Sequence, residues 1–117
     1  MARVQEVAFH ASAVQLEAAG TVNGTAHDCS VFEEMSAILS VSASAGTAET
    51  LDVKIQVSVD GTIWTDLVTF TQALGVTVEY KGLTCFGKWL RGVSAVGSGA
   101  ADGTFTFSLV ATGKMHV

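Results

Sequence analysis

Apolar and polar residues alternate through several stretches of the chain, and each such stretch predicts a β-strand. The clearest is LDVKIQVSV, residues 51–59, in which every second residue is apolar and the residues between are polar. A slip of one residue would expose all the apolar side chains, at about 1.5–3 kcal/mol each, so the register of this strand is firmly set. The predicted inward residues are Leu51, Val53, Ile55, Val57 and Val59.

Further strands follow from the same pattern. Residues 35–43 alternate, and residues 104–113 place an aromatic or aliphatic side chain at every second position. Shorter runs at residues 13–18, 76–80 and 88–96 predict three more strands. In the two longer stretches the predicted inward residues are Met35, Ala37, Leu39, Val41, Ala43, Phe105, Phe107, Leu109 and Ala111.

Turn-forming residues separate these strands at intervals too short for crossover helices, and the chain has no proline. We therefore expect an all-β fold, a single antiparallel β-sandwich of jelly-roll or immunoglobulin-like type with about seven to eight strands. The sandwich domain is predicted to span residues 12–117. Residues 1–11 lack a clear alternation and are predicted to form an extended N-terminal arm.

Asp60-Gly61 lies between two alternating runs, which is a strong hairpin signal because a type I′ turn needs positive φ at both central residues. That turn would place Val57 opposite Trp64 and would leave Asp66 on the apolar face. A β-bulge near Thr65 is therefore predicted to turn Asp66 outward. The pattern favours an architectural role for this turn, with Trp64 covering one end of the core, over a sugar-stacking role.

Composition narrows the classes of function. Apolar residues make up 49% of the chain and charged residues 15%, against about 25% in a typical soluble domain. The net charge is −5 and no Lys/Arg cluster occurs, so nucleic-acid binding is not expected. No run approaches the roughly 18 apolar residues of a membrane span, and the N-terminus does not resemble a signal peptide. A surface so poor in charge suggests that other subunits cover part of it.

Metal and thiol chemistry is not indicated. Residues 27–29 (His-Asp-Cys) resemble half a metal site, but His10, Cys85 and His116 are scattered without paired spacing. We expect no metal and no cofactor. Cys29 and Cys85 are predicted to be reduced, buried thiols, and a single disulfide between them is the alternative.

Catalytic patterns are also missing, and we predict that the protein is not an enzyme. Glu33 and Glu34 are adjacent in a strand and would point to opposite faces. The glycines of residues 97–103 precede a strand, whereas a phosphate-binding loop needs a helix. Arg91 lies between Trp89 and Val93 on one strand face, where it either extends to solvent or pairs with a carboxylate of another subunit.

The stretches VKIQVSVDGTIWTDLVTFTQ and GKWLRGVSAVG, with the glycine-rich loop and FTFSLVATGK that follow, resemble the small β-sandwich decoration proteins of tailed-bacteriophage capsids, also called cement or head-stabilising proteins. The resemblance covers residues 51–114. It implies a structural virion protein, assembled in the host cytoplasm, that binds the major capsid protein on the capsid exterior as a homotrimer and stabilises contacts between capsomers. It implies no catalytic residues.

Such proteins often lay a terminal arm along the shell, and this suggests a partner-binding role for residues at the N-terminus. The candidate partner-binding residues are Arg3, Val4, Val7, Phe9 and Arg91. Deleting residues 2–10 is then expected to abolish capsid binding and to leave the β-fold intact. Two alternatives stay open: a carbohydrate-binding module that exposes Trp64, Trp89 or Tyr80 in a groove, and a tail or connector subunit that forms rings.

Overall fold

A computed structural model describes residues 3–84 and 87–115 of the 117-residue chain, with Arg3 described by its backbone alone. Nine strands and a 3₁₀ turn follow one another along these residues. They are β1 (Arg3–Leu16), the 3₁₀ turn (Glu17–Ala19), β2 (Val22–Asn23), β3 (His27–Asp28), β4 (Phe32–Ala45), β5 (Thr50–Ser58), β6 (Thr65–Thr69), β7 (Thr77–Leu83), β8 (Trp89–Gly97) and β9 (Thr104–Met115). Within the described ranges, no helix has the length and apolar character that crossing a membrane requires.

The strands form two antiparallel sheets packed face to face. Sheet A has the order β1-β9-β4-β7, and sheet B has the order β2-β8-β5-β6 with β3 also paired to β8. Because β2 and β3 pair with successive parts of β8, they act as one interrupted strand. With β2 and β3 counted together as the second strand, the sandwich has eight strands among the described residues. Sheet A then has the order first, eighth, third, sixth, and sheet B has the order second, seventh, fourth, fifth, which is the strand order of a jelly roll. The predicted all-β sandwich is confirmed.

The core lies between the sheets and is built from the alternating positions that the sequence predicted. The side chains of Leu51, Ile55 and Phe105 are fully buried. The predicted burial is wrong for two of the inward residues. Val59 is 79% exposed because β5 ends at Ser58, and Ala43 is exposed because a register shift in β4 follows Val41.

The predicted N-terminal arm is wrong for the residues described. From Arg3 onward the segment belongs to β1, which pairs with β9 along its whole length. Val7 and Phe9 are 9% and 6% exposed and belong to the core. Register shifts between Ala8 and Ala13 interrupt the alternation of β1. A bulged strand loses its regular period of two, and this explains why the sequence pattern did not reveal it.

The β5–β6 connection also differs from the predicted two-residue turn. Val57 lies opposite Thr65, so residues 59–64 form a longer loop. The Asp60 carboxylate organises this loop by accepting hydrogen bonds from the backbone N–H groups of Ile63 at 2.9 Å and Thr62 at 2.8 Å. These bonds hold the pKa of Asp60 below its usual value. Gly61 adopts φ = 79°, a left-handed conformation that glycine accepts without strain.

The bulge predicted in β6 is present but lies at a different residue. Gln56 faces Asp66 and Ile55 faces Val68, so Leu67 is the extra residue rather than Thr65. Asp66 points outward as predicted, with its Oδ1 3.2 Å from the Nζ of Lys54. Keeping the Asp66 carboxylate off the apolar face required a bulge in β6, but this requirement did not determine at which residue the bulge lies.

Candidate functional site

An apolar row crosses the outer face of sheet A. The registers pair Ala8 with Val110, Val110 with Ile38, and Ile38 with Tyr80, so one residue from each of the four strands lies in line. These residues alternate with the buried Ala37, Leu39, Leu109 and Ala111, and therefore point away from the core. Ile38 is 45% exposed and Tyr80 63%.

The rows on either side of this one carry little charge. One contains Val78, Ser40 and Ser108, and the other contains Gly82, Ser36, Thr112 and Glu6. We call these three rows together the sheet A face. The charged residue of these rows is Glu6, which lies at the margin on the edge strand β1. The row beyond that margin holds Lys114 and Glu34, with 3.6 Å between the Lys114 Nζ and the Glu34 Oε1. The centre of the face has no charged group that would hold water strongly.

The most exposed part of the sheet A face lies on strand β7. Val76, which directly precedes β7, and Val78 and Tyr80 within it lie at every second position and are 71%, 67% and 63% exposed. We call these three residues the β7 stripe. An open groove of about 440 Å³ lies beside Tyr80, between Gly82 and Thr112. Edge strands of monomeric sandwiches usually carry charged residues on the solvent side, so an apolar stripe here indicates an interaction surface.

The outer face of sheet B has the opposite character, because its polar side chains satisfy one another. The Nε of Arg91 donates to the Oε1 of Gln56 at 2.9 Å, and the Nε2 of Gln56 donates to Asp66 at 3.0 Å. The hydrogen bond from Gln56, and then the ammonium of Lys54, lower the pKa of Asp66. The Arg91 guanidinium also lies over the ring of Trp64, 4.3 Å from its centre. One face of this indole is therefore covered within its own subunit.

The predicted partner-binding residues do not share one surface. Val4 is 70% exposed on the outer side of β1, whereas Val7 and Phe9 lie in the core. Arg91 is half-buried on the outer face of sheet B, and the side chain of Arg3 lies outside the described part of the chain. A contact with another subunit through Val4 or Arg91 stays a prediction.

Sequence reasoning missed the sheet A face. The alternation of VTVEY was visible, but a period of two does not say which of its two faces points inward. We expect apolar residues to be buried, whereas in β7 it is Leu83 that is buried and Val78 and Tyr80 that are exposed. The register against β4 is what places Tyr80 beside the exposed Ile38, and no local sequence signal contains it.

Carboxylates clamp the loops at the end of the sandwich where β1 meets the β8–β9 connection. The Glu17 carboxylate accepts hydrogen bonds from the hydroxyl of Ser98 at 2.5 Å, from the backbone N–H of Ser98 at 3.1 Å and from that of Gly103 at 3.0 Å. The Asp102 carboxylate accepts two more from the backbone N–H and hydroxyl of Thr47, both at 2.9 Å. These bonds lower the pKa of both carboxyl groups.

Acid is therefore expected to loosen these loops. A carboxyl group whose pKa is lowered in the folded state stabilises that state above its unfolded pKa, and the stabilisation is lost as the pH falls through the folded value. For Glu17 the loss begins below about pH 4.3, its ordinary pKa. Amide hydrogen exchange of residues 98–103, corrected for the intrinsic pH dependence, is expected to show weaker protection at pH 3 than at pH 7. In Glu17→Gln the protection at pH 7 should already be reduced, and an unchanged variant would contradict this interpretation.

The histidine and cysteine residues that could suggest chemistry are used in packing where the structure describes them. The His10 ring stacks on Phe107 with 3.9 Å between ring centres, and His27 meets Phe9 edge-on at 5.5 Å. Cys29 is buried, and Cys85 and His116 lie outside the described residues. Among residues 3–84 and 87–115, no three His, Cys, Asp or Glu side chains come together in a group that could hold a metal ion.

Comparison with known proteins identifies relatives of the fold. No family model matches the chain, and no curated protein matches it significantly. Among solved structures, the SPBc2 prophage-derived protein YomS is similar over 97% of this chain and 95% of its own, with a TM-score of 0.68 and 12% identity.

Two larger proteins contain a similar domain. The VP2 subviral particle of infectious bursal disease virus matches 98% of this chain with a TM-score of 0.62 and 14% identity, and the PBSX exported protein XepA matches 100% with a TM-score of 0.61 and 12% identity. This chain spans 33% of the VP2 chain and 38% of XepA. At sequence identities this low, the similarity of the structures establishes a shared fold alone.

Proposed function

We propose that this chain is a structural, non-enzymatic subunit of a bacteriophage particle that decorates the exterior of the capsid. In this proposal it binds the major capsid protein as a homotrimer, stabilises contacts between capsomers and is assembled in the host cytoplasm. The observation that carries the proposal is the sheet A face, whose middle row includes Ile38 and Tyr80, both uncharged and exposed.

The physical argument concerns the cost of leaving that face in water. Contiguous apolar patches on stable monomers are limited in size, and larger ones mark interaction surfaces. Here the β7 stripe and Ile38 adjoin rows of serine and threonine, a composition typical of a contact that excludes charge at its centre. Sheet B, by contrast, has a network of side-chain hydrogen bonds between Arg91, Gln56 and Asp66, as expected of a surface that stays in water.

The likeness to YomS supports the phage context, because that protein is prophage-derived and matches this chain nearly end to end. The likeness to the VP2 subviral particle supports the idea that this fold can serve as a building block of a particle. The resemblance of residues 51–114 to capsid decoration proteins supports the position on the capsid exterior. Many weakly bound copies on a lattice can be held firmly through avidity, so each contact need not be strong.

The experiment is a binding assay with purified particles from a phage that lacks this chain. The purified protein is added at increasing concentration, the particles are sedimented, and the bound chain is quantified against the major capsid protein. Binding is expected to saturate at a fixed ratio, with a number of bound chains of the same order as the number of major capsid proteins. If the protein stays in the supernatant at all concentrations, the decoration proposal is wrong.

The same assay separates the alternatives. A tail or connector subunit would saturate at a few copies per particle, and its mass by light scattering would be that of a ring. A carbohydrate-binding module would remain unbound to particles and would give signals on a glycan array. Arg91 lies over the ring of Trp64, and the Nζ of Lys88 lies 5.3 Å from the centre of the Trp89 ring, so both indoles are partly covered and Tyr80, at 63% exposed, is the better candidate for a sugar contact.

A further inference from the structure

Strand β7 presents an unusually regular edge. It pairs with β4 on one side only, through seven residue pairs from Met35–Leu83 to Val41–Thr77 with no register shift. The other edges of the described sandwich are interrupted, since β1 and β6 contain register shifts and β2 and β3 are two residues long. A regular edge of this length offers a row of backbone N–H and C=O groups that can pair with another strand.

The inward side of β7 carries charges that would normally oppose such pairing. Glu79 and Lys81 lie on the side opposite the β7 stripe, with 3.6 Å between the Nζ of Lys81 and the Oε1 of Glu79. Their side chains are 23% and 39% exposed. Glu79 also accepts hydrogen bonds from the backbone N–H of Thr71 at 2.9 Å and from its hydroxyl at 3.1 Å. Inward charges on an edge strand disfavour the addition of a neighbour, because an added strand without matching charges would remove these partly exposed groups from water.

One register removes this penalty. If two copies of β7 pair antiparallel about a two-fold axis at Tyr80, Glu79 lies opposite Lys81 of the partner subunit, and Lys81 lies opposite Glu79 of the partner subunit. Opposite charges at facing positions of an antiparallel pair stabilise it, whereas like charges destabilise it. The sequence of the strand, Val78-Glu79-Tyr80-Lys81-Gly82, is therefore electrostatically complementary to itself.

The same register fits the outward side. It places Tyr80 opposite Tyr80 of the partner subunit and Val78 opposite Gly82, whose lack of a side chain leaves room for the valine. The apolar row that ends at Tyr80 then continues across the axis into the row of the second copy. Both faces of β7 are thus matched by one placement, as an isologous contact requires.

We propose that β7 is a self-association edge, at which two copies of this chain pair antiparallel about Tyr80 and join their four-stranded sheets into one continuous sheet. The inference goes beyond the proposed function, because a two-fold contact is a different interface from the three-fold contact of a homotrimer. A two-fold contact at the β7 edge and a trimer contact elsewhere can coexist, in which case the edge links two trimers.

The first test measures the mass of the purified full chain by sedimentation velocity, without any particle, so that its outcome is separate from capsid binding. The wild type is expected to form a pair of copies or a pair of trimers. Lys81→Glu alone and Glu79→Lys alone are each expected to weaken pairing at least tenfold, since like charges then face each other. Mixing the two variants should restore wild-type pairing, because glutamates of one then face lysines of the other. Lys54→Glu on sheet B is the matched control and should pair like the wild type.

Pairing of Lys81→Glu at wild-type strength would overturn the proposal, and so would a mixture of two folded variants that does not recover. Glu79 also accepts hydrogen bonds from Thr71, so its variant is checked for folding by circular dichroism.

A second test does not depend on Glu79 and reads the register directly. In a Cys85→Ser background, Tyr80→Cys is expected to give a disulfide-linked dimer on mild oxidation, because directly opposed residues have Cα atoms about 4.5–5.5 Å apart. In Val78→Cys the new thiol faces position 82 of the partner subunit, so two copies of this variant should not cross-link. Equal cross-linking at both positions, or none at position 80, would overturn the proposal.

Discussion

Phe9→Ala is expected to lower the free energy of unfolding by about 3–5 kcal/mol, the cost typical of removing a buried aromatic ring. Phe9 is 6% exposed, meets the ring of His27 edge-on and lies against Gly92 on the opposite sheet. A domain of this size has only about 5–15 kcal/mol of stability, so the variant should be close to unfolding. Urea denaturation followed by tryptophan fluorescence measures the change.

Val4→Ala is the matched control on the same strand. Val4 is 70% exposed and should change the stability by no more than about 0.5 kcal/mol. Deleting residues 2–10 should unfold the domain, because it removes the first half of β1 together with Val7 and Phe9. If the deletion variant keeps the β-sheet spectrum and denaturation midpoint of the full chain, the N-terminal segment is an arm after all.

Ile38→Asp is expected to weaken binding to particles by about 100-fold, which corresponds to about 2.8 kcal/mol, and to leave the fold intact. Ile38 lies at the centre of the sheet A face, between Val110 and Tyr80. On a contact surface an aspartate there would be buried without a partner, whereas in the isolated subunit it would stay in water. The particle sedimentation assay measures binding, and thermal unfolding measures the fold.

Ile63→Asp provides the comparison, because it makes the same substitution on the β5–β6 loop, where Ile63 is 75% exposed. It should bind particles like the wild type. Equal binding by the wild type and Ile38→Asp would show that the sheet A face stays in solvent, and the proposed contact would have to lie elsewhere.

The fold was predictable where alternation is regular. In β5, and in β9 except at Val110, each apolar side chain is followed by a polar or small one, and Leu51, Val53, Phe105 and Phe107 are buried as expected. The sandwich follows from this, because strands with one apolar face and short connections must pack in layers. The choice between jelly roll and immunoglobulin-like topology was not predictable, since it depends on long-range pairs such as β1 with β9.

The errors arise where the ladder is irregular. In β1 the register shifts after Ala8 separate Phe9 from the next inward residues, and the segment looked like an arm. In the β5–β6 loop the side chains of Ser58 and Asp60 bind the backbone and support a longer connection than the Asp-Gly pair suggested. Such side-chain-to-backbone bonds compete with the simplest turn and cannot be read from the turn dipeptide alone.

The candidate surface was the least predictable part. Low charge in the composition suggested that other subunits cover part of the surface, which stays a prediction, and it could not indicate which part. The middle row of the sheet A face consists of one outward residue from each of four strands that are distant in sequence, from Ala8 to Val110. Arg91, which the sequence left either extending to solvent or pairing with a carboxylate of another subunit, has Gln56 and Trp64 of its own subunit beside it in the fold.

Quantitative mass spectrometry of purified phage particles tests the proposed role most directly. The measured quantity is the number of copies of this chain relative to the major capsid protein. If the chain is a decoration subunit whose sheet A face is covered on the capsid, its copy number should be of the same order as that of the major capsid protein. Washing conditions that remove the chain should also lower the stability of the shell. Absence from purified particles, with abundant chain elsewhere in the infected cell, would contradict the proposal.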